Sequence, residues 1–338
     1  MLAISRGPTS AMLVGIAALV VFGPAAGADE AVLKVQTALP KTHDLSVSFI
    51  SSFVEKINVA GKGVVRVEYL GGPEINPPDK AASAVERGAI DMLHTPAAYH
   101  AGQVPQGASL MATNLDVDEY RKNGAFAALE PNWEKKLNSK IIAIGETSAQ
   151  FYLYLTKKPE LRPDGVIDVK GWKIRTTGAY RPLVEALGAT PVQITNAGEV
   201  YTALERGVVE GLAWPEGGVA VHGWQRYIKY RVYPGFFRST TMATMNKDKF
   251  ESLSNKAREQ ILAAGLHYEN RSGEILKKKA DTDNGKLKAA GMEDYHLQGD
   301  YAKAYLRTIY DAKWADAEKR KYTVPFETLK SKMFKAGT

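Results

Sequence analysis

Arg175 stands third in the run Lys173-Ile174-Arg175-Thr176, and its chemistry is that of a fixed cation. A guanidinium offers a planar fork of donors that meets a carboxylate bidentately and stays charged at any physiological pH. Inside a cleft that shuts, such a pair loses solvent screening and each hydrogen bond counts for more. The competing use is pairing with a surface acid such as Glu146 or Glu216. Other chemistries lack their residues. The chain has no cysteine, which excludes disulfides, thiol catalysis and cysteine-based metal sites. The patterns GxSxG, HExxH and SxxK do not occur and the six histidines lie scattered, so an exported hydrolase finds no nucleophile with its base. Asp116, Asp118 and Glu119 have the look of an acid pair but precede a helix, where carboxylates serve as caps. No enzyme is expected.

The elements around Arg175 follow from periodicity. Residues 172–215 read as strand 173–176, helix 180–187, strand 191–195, helix 199–206 and strand 208–214, a βαβαβ unit. Asn196 with Glu199 marks the start of the second helix and Gly207 its stop. The unit occurs twice. AVERGAIDMLHTP at 84–96 and ALERGVVEGLAWP at 203–215 share six of thirteen positions, and KVQT at 34–37 matches KIRT at 173–176. Two lobes of one plan are expected. In open parallel sheets ligands sit beyond the carboxyl ends of the strands, here Thr37 and Thr95 in one lobe, Thr176 and Trp214 in the other. Gln36 in the first copy stands where Arg175 stands in the second. Only one lobe carries the cation.

Along the chain, residues 1–28 read as a secretory signal. Arg6 supplies the charge, residues 11–23 an apolar run, and Ala26-Gly27-Ala28 a small-x-small cleavage site. Thirteen apolar residues fall short of the roughly 20 that a spanning helix needs. The apolar fraction of 45% and charged fraction of 24% are those of a folded globular protein. The net charge of +7 is spread out, with lysine-rich runs at 277–279 and 319–321 that read as solvated helix faces rather than a nucleic-acid surface. A helix opens at Thr42, His43 and Asp44, with Val47, Ile50, Phe53, Val54 and Ile57 as its apolar face. Residues 150–156, QFYLYLT, form a strand apolar enough to be covered on both faces or to cross between lobes. GGVAVHGWQRYIKY at 217–230 looks helical, and 240–246 looks like a strand returning to the first lobe, so crossings form a hinge. Residues 254–290 read as one long helix with Ala257, Ile261, Leu262, Leu266 and Ile275 at helical spacing and Gly265 and Gly273 as weak points. About 35 residues at 1.5 Å each reach on the order of 50 Å, enough to span both lobes. A further helix over 300–319 places Tyr301, Tyr305, Ile309 and Trp314 on one side.

Over 31–330 the chain resembles the DctP-type solute-binding proteins of TRAP (tripartite ATP-independent periplasmic) transporters. The resemblance is carried by GWKIRTTGAYRPLVEALGATPV, by GEVYTALERGVVEG, by GGPEINPPDKAASAVERGAIDMLHTPAAY and by the long late helix. It implies an α/β, two-lobed, hinge-linked periplasmic-binding-protein fold, with lobe I formed by 29–149 and 238–270 and lobe II by 150–237 and 271–338. It further implies a periplasmic receptor that closes over an organic acid and hands it to a membrane permease, without a cofactor or nucleic acid. A ligand-loaded partner for a membrane sensor is the alternative, since both need the same cleft. The arginine of the KIR motif, Arg175, would pair with the carboxylate. Trp214 would contact the ligand, Tyr99 and Thr95 occupy the equivalent turn of lobe I, and Gln150, Phe151 and Tyr152 lie where the chain enters lobe II. His43, after the first strand, and Glu216 complete the candidates. Relatives that use a metal place a carboxylate immediately before this tryptophan, where Ala213 stands, and relatives that take larger acids add an arginine near Phe151 or Tyr152. The first departure argues against a metal site and the second against a dicarboxylate clamp. An aromatic-rich pocket with one fixed cation suits a monocarboxylate with an apolar or aromatic body.

Overall fold

A computed structural model describes residues 1–3, 7, 30–194, 196–322 and 324–336. The expected signal at 1–28 lies almost wholly outside the described residues. No helix among the described residues is long and apolar enough to cross a membrane.

The first lobe opens with β1 (Ala31–Thr37), then α1 (Asp44–Phe49), which runs through a π turn at Ile50–Val54 into α2 (Glu55–Ala60). It continues with β2 (Val65–Gly71), α3 (Pro78–Glu86) and β3 (Met92–Pro96), a one-turn 3-10 helix at Ala97–His100, and α4 (Gln106–Leu110), α5 (Val117–Lys122) and α6 (Ala125–Leu137). Then β4 (Ser139–Gly145) leads into β5 (Gln150–Leu155). A small ribbon of β6 (Glu160–Leu161) and β7 (Ile167–Asp168) precedes β8 (Lys173–Thr176), α7 (Arg181–Ala186), β9 (Thr190–Gln193), α8 (Ala197–Glu205) and β10 (Gly211–Pro215). The chain closes with β11 (Tyr230–Arg238), β12 (Thr241–Asn246), α9 (Lys247–Ser252), α10 (Asn255–Ala289), β13 (Glu293–His296), α11 (Gly299–Glu318) and α12 (Phe326–Met333).

Two sheets carry the duplication into three dimensions. Their orders are β2-β1-β3-β12-β4 and β13-β11-β5-β10-β8-β9. In each, a parallel trio is followed by an antiparallel strand from the other half of the chain: β12 beside β3, and β5 beside β10. The matched segments align residue for residue, with helices ending at Glu86 and Glu205 and strands at Met92–Pro96 and Gly211–Pro215. The two crossings, β4 to β5 and β11 to β12, join the lobes. Strand β5 is covered on both faces as its sequence implies: Phe151, Leu153 and Leu155 enter one core cluster, Tyr152 and Tyr154 another.

Four expectations change. Residues 217–230 are not a helix but a loop with one 3-10 turn at Trp224–Arg226, because Gly217, Gly218 and Gly223 all adopt positive φ. On α10, Leu262 and Leu266 are exposed; the buried stripe runs through Ala264, Tyr268, Ser272, Leu276 and Ala280, two residues out of step with them. Likewise Tyr301 is exposed while Tyr305, Ile309 and Trp314 are buried. Gly265 and Gly273 are contact points rather than weak points. A Cβ on Gly265 would stand 2.9 Å from the Ile142 carbonyl oxygen, and one on Gly273 3.0 Å from Ser148 Oγ. Small residues let α10 lie directly on β4 and the first crossing.

A polar knot sits under that crossing. Glu146 is 1% exposed with φ at 67°. Its Oε2 accepts from Thr241 Oγ1 at 2.7 Å, and the Thr241 hydroxyl is also 2.6 Å from the Tyr268 hydroxyl, which lies 2.9 Å from His94 Nε2. Burial pushes the Glu146 carboxyl up to about 8, partly offset by the Thr241 bond. A carboxyl whose folded pKa exceeds its ordinary 4.5 contributes stability that is complete below that value and lost as pH rises through about 8. Glu146→Gln is therefore expected to match the parent in acid and to exceed it in alkaline solution by about 1 kcal/mol or more. Denaturant melts over a pH series test this; parallel curves for the two proteins would rule it out.

Candidate functional site

Arg175 and Gln36 occupy matching places and do matching structural work. Gln36 Nε2 donates to the carbonyls of Gly72 at 3.1 Å and Asn76 at 2.8 Å, tying down the loop after β2. Arg175 Nε donates to the Ile194 carbonyl at 2.8 Å, tying down the segment after β9. Arginine adds a charge to the same anchor. The residue is 2% exposed, and its guanidinium carbon lies 5.5 Å from the Trp214 ring centroid. Burial lowers its pKa from the ordinary value, with Tyr180 and Tyr99 opposing. A guanidinium nevertheless keeps its proton. The result is a desolvated cation walled by aromatic side chains. Neither acid considered as its partner is idle elsewhere: Glu146 is in the knot described above, and Glu216 Oε1 accepts from Asn284 Nδ2 at 3.2 Å.

Trp214 opens onto a cavity of about 210 Å³ between the lobes. Lobe I contributes Pro40, Thr42, His43 and Asp44, the loop after β10 contributes Glu216 and His222, and α10 contributes Leu276 and Lys279. His43 is the N-cap of α1, its Nδ1 accepting from Leu45 N at 3.2 Å. Asp44 bonds Lys279 Nζ at 2.6 Å, linking α1 to α10. The His222 ring stacks on Trp224 at 4.5 Å and meets Trp214 edge-on at 5.6 Å.

The remaining candidates fall in three places. Tyr99, on the 3-10 turn, is 47% exposed and couples electrostatically to Arg175, burial raising its pKa. Phe151 packs on Tyr180, ring centres 5.4 Å apart, and so backs the wall beside Arg175. Thr95 is buried with its hydroxyl on the Pro96 carbonyl at 3.4 Å, and Gln150 accepts Glu216 N at its backbone carbonyl, 2.7 Å. Tyr152 meets the Tyr233 ring at a tilt, centroids 4.8 Å apart, and lies under Arg231, whose Nε and Nη1 donate to Asp294 and Asn284. Sequence reading missed Tyr180, His222 and Lys279. The signal for His222 was present: three glycines in GGVAVHG argue for a loop beyond a strand end, where ligands sit.

The DctP family model, bacterial extracellular solute-binding protein family 7, matches residues 37–320. This chain belongs to family 7. Several proteins of solved structure share its fold. One is a TRAP solute-binding protein from Desulfovibrio salexigens with bound orotic acid, at a TM-score of 0.74 and 17% identity, covering 89% of this chain and 97% of that one. Another is DctP7, a Bordetella pertussis extracytoplasmic solute receptor binding pyroglutamic acid, at 0.71 and 18%, covering 90% and 99%. In sequence the chain is similar to a monocarboxylate 2-oxoacid-binding periplasmic protein of Nostoc sp., 23% identical over 212 residues, covering 60% of this chain and 56% of that protein. The match thus spans little more than half of that relative. As a family 7 member the chain is an extracytoplasmic solute receptor of the TRAP type, not an enzyme.

Proposed function

We propose that this receptor captures a small organic acid between its lobes and delivers it to a TRAP membrane permease from the periplasm, reached by cleavage of a signal within residues 1–28. The observation that carries the reading is Arg175, 2% exposed and stacked on the Trp214 that lines the interlobe cavity. A buried guanidinium favours an anion, and the bidentate geometry of a carboxylate matches its fork. Trp214, Tyr99 and Phe151 with Tyr180 supply an apolar wall for the body of the acid. Thr95, Gln150 and Tyr152 serve the frame rather than the ligand, while His43 and Glu216 form the rim. Names of relatives point the same way, since orotic, pyroglutamic and 2-oxo acids all carry a carboxylate.

A thermal-shift panel of organic acids and their neutral amides tests this. A ligand at a hundredfold excess over its Kd stabilises the folded state by about 2.7 kcal/mol. Acids are expected to raise the melting temperature and the amides to leave it unchanged; equal shifts for both would defeat the carboxylate assignment.

A further inference from the structure

We propose that His43 and His222, one from each lobe, are the second contact for the bound acid and make the cavity read its charge, accepting a monocarboxylate when neutral and admitting a second anionic group when protonated. This rests on Arg175 as the first contact. Both imidazoles line the interlobe cavity. Because His43 Nδ1 is taken as an acceptor by Leu45 N, the neutral ring carries its proton on Nε2, which leaves that N–H for a ligand. Trp214 and Trp224 fix the His222 ring, so it meets an acceptor without losing rotamer freedom.

The surroundings set the response to pH. Facing His43 are Asp44 on its own helix, His222 across the cavity, Lys279 on α10 and, behind it, His94 on β3. Facing His222 are Asp44 and Arg175, with Glu216 on its own loop and Lys279 on α10 along the same wall. An adjoining recess of about 290 Å³ adds Asp283, Lys278 and Lys286. Burial is the largest influence on both imidazoles, and it lowers each below the ordinary 6.5; Asp44 opposes, while the neighbouring cations reinforce. Near neutral pH the pair is uncharged and Arg175 stands as the cation of the aromatic wall. An anionic group placed between the rings acts as Asp44 does, so its binding takes up protons and tightens as pH falls.

The test uses a pair of probes that both stay predominantly ionised over the interval: benzoate against 4-sulfobenzoate. Affinities are measured by calorimetry on the full mature chain near pH 8 and near pH 5, the interval in which histidine titrates. In the parent, the preference for the sulfonated partner is expected to rise about tenfold on acidification, the effect of roughly one added favourable charge contact. His222→Asn and His43→Asn should flatten that rise, and asparagine at 43 keeps the helix cap, so melting temperature serves as the folding control. A ratio that is unchanged between the two pH values, or that rises equally in both variants, overturns the proposal while leaving Arg175 in place. Failure of every acid to bind the folded parent overturns the Arg175 reading and this one with it.

Discussion

Arg175→Ala is expected to weaken acid binding by about thirtyfold or more while the protein stays folded. Truncating one partner of a desolvated, hydrogen-bonded charge pair costs about 2–5 kcal/mol, and a factor of ten corresponds to about 1.4 kcal/mol. The folded state loses less. The side chain gives up its Nε bond to the Ile194 carbonyl, worth about 1 kcal/mol, and its contact with Trp214, but it also relieves the burial that lowers its own pKa. Arg175→Lys keeps a charge without the planar fork and should recover only part of the affinity. Calorimetric titration with the best acid of the panel separates the three proteins. Equal affinity for parent and alanine variant would remove Arg175 from the site.

Gly145→Ala should lower stability by about 3 kcal/mol, the upper part of the usual range for overpacking. Gly145 ends β4 at the entrance to the first crossing. A Cβ there would stand 2.3 Å from Tyr268 Cζ and 2.6 Å from its hydroxyl. That ring has nowhere to go. It is 0% exposed, edge-on to Phe49 at 5.4 Å, and bonded to both His94 and Thr241. Displacing it breaks a contact among β3, β12 and α10 at once. Denaturant unfolding measures the loss, and a variant within about 0.5 kcal/mol of the parent would mean that the ring moves freely.

Most of the architecture was readable because it rests on local periodicity and on repetition. The paired segments ending at Pro96 and Pro215 announced equivalent strands, and the 3.6-residue pattern from Ser254 onward announced α10. The crossings were legible from QFYLYL, a run too apolar to have a wet face. What failed was face assignment where small or polar residues do the packing. Leu262 and Leu266 look like core but lie out, because the stripe against β4 demands small residues at 264, 265 and 272. The π turn at Ile50–Val54 likewise rotates the early helix so that Ser46, Ser48 and Ser52 are buried while Val47 and Ile50 are half exposed.

At the site, Arg175 stood out because its counterpart in the repeat is glutamine, a residue that makes the same loop anchor without the charge. His222 and Lys279 were hidden for a different reason. Each reaches the cavity from a segment far from Arg175 in sequence, one on a loop mistaken for a helix and one on the polar side of a long helix. Their meeting depends on how α10 crosses both lobes, a tertiary fact that no local pattern encodes.

The most direct measurement is a crystal structure of the protein grown with the acid that gives the largest thermal shift. The carboxylate is expected within about 3 Å of the Arg175 guanidinium, with the body of the acid against Trp214. An acid seated between the lobes with its carboxylate on other residues, or bound outside the cavity altogether, would contradict the assignment.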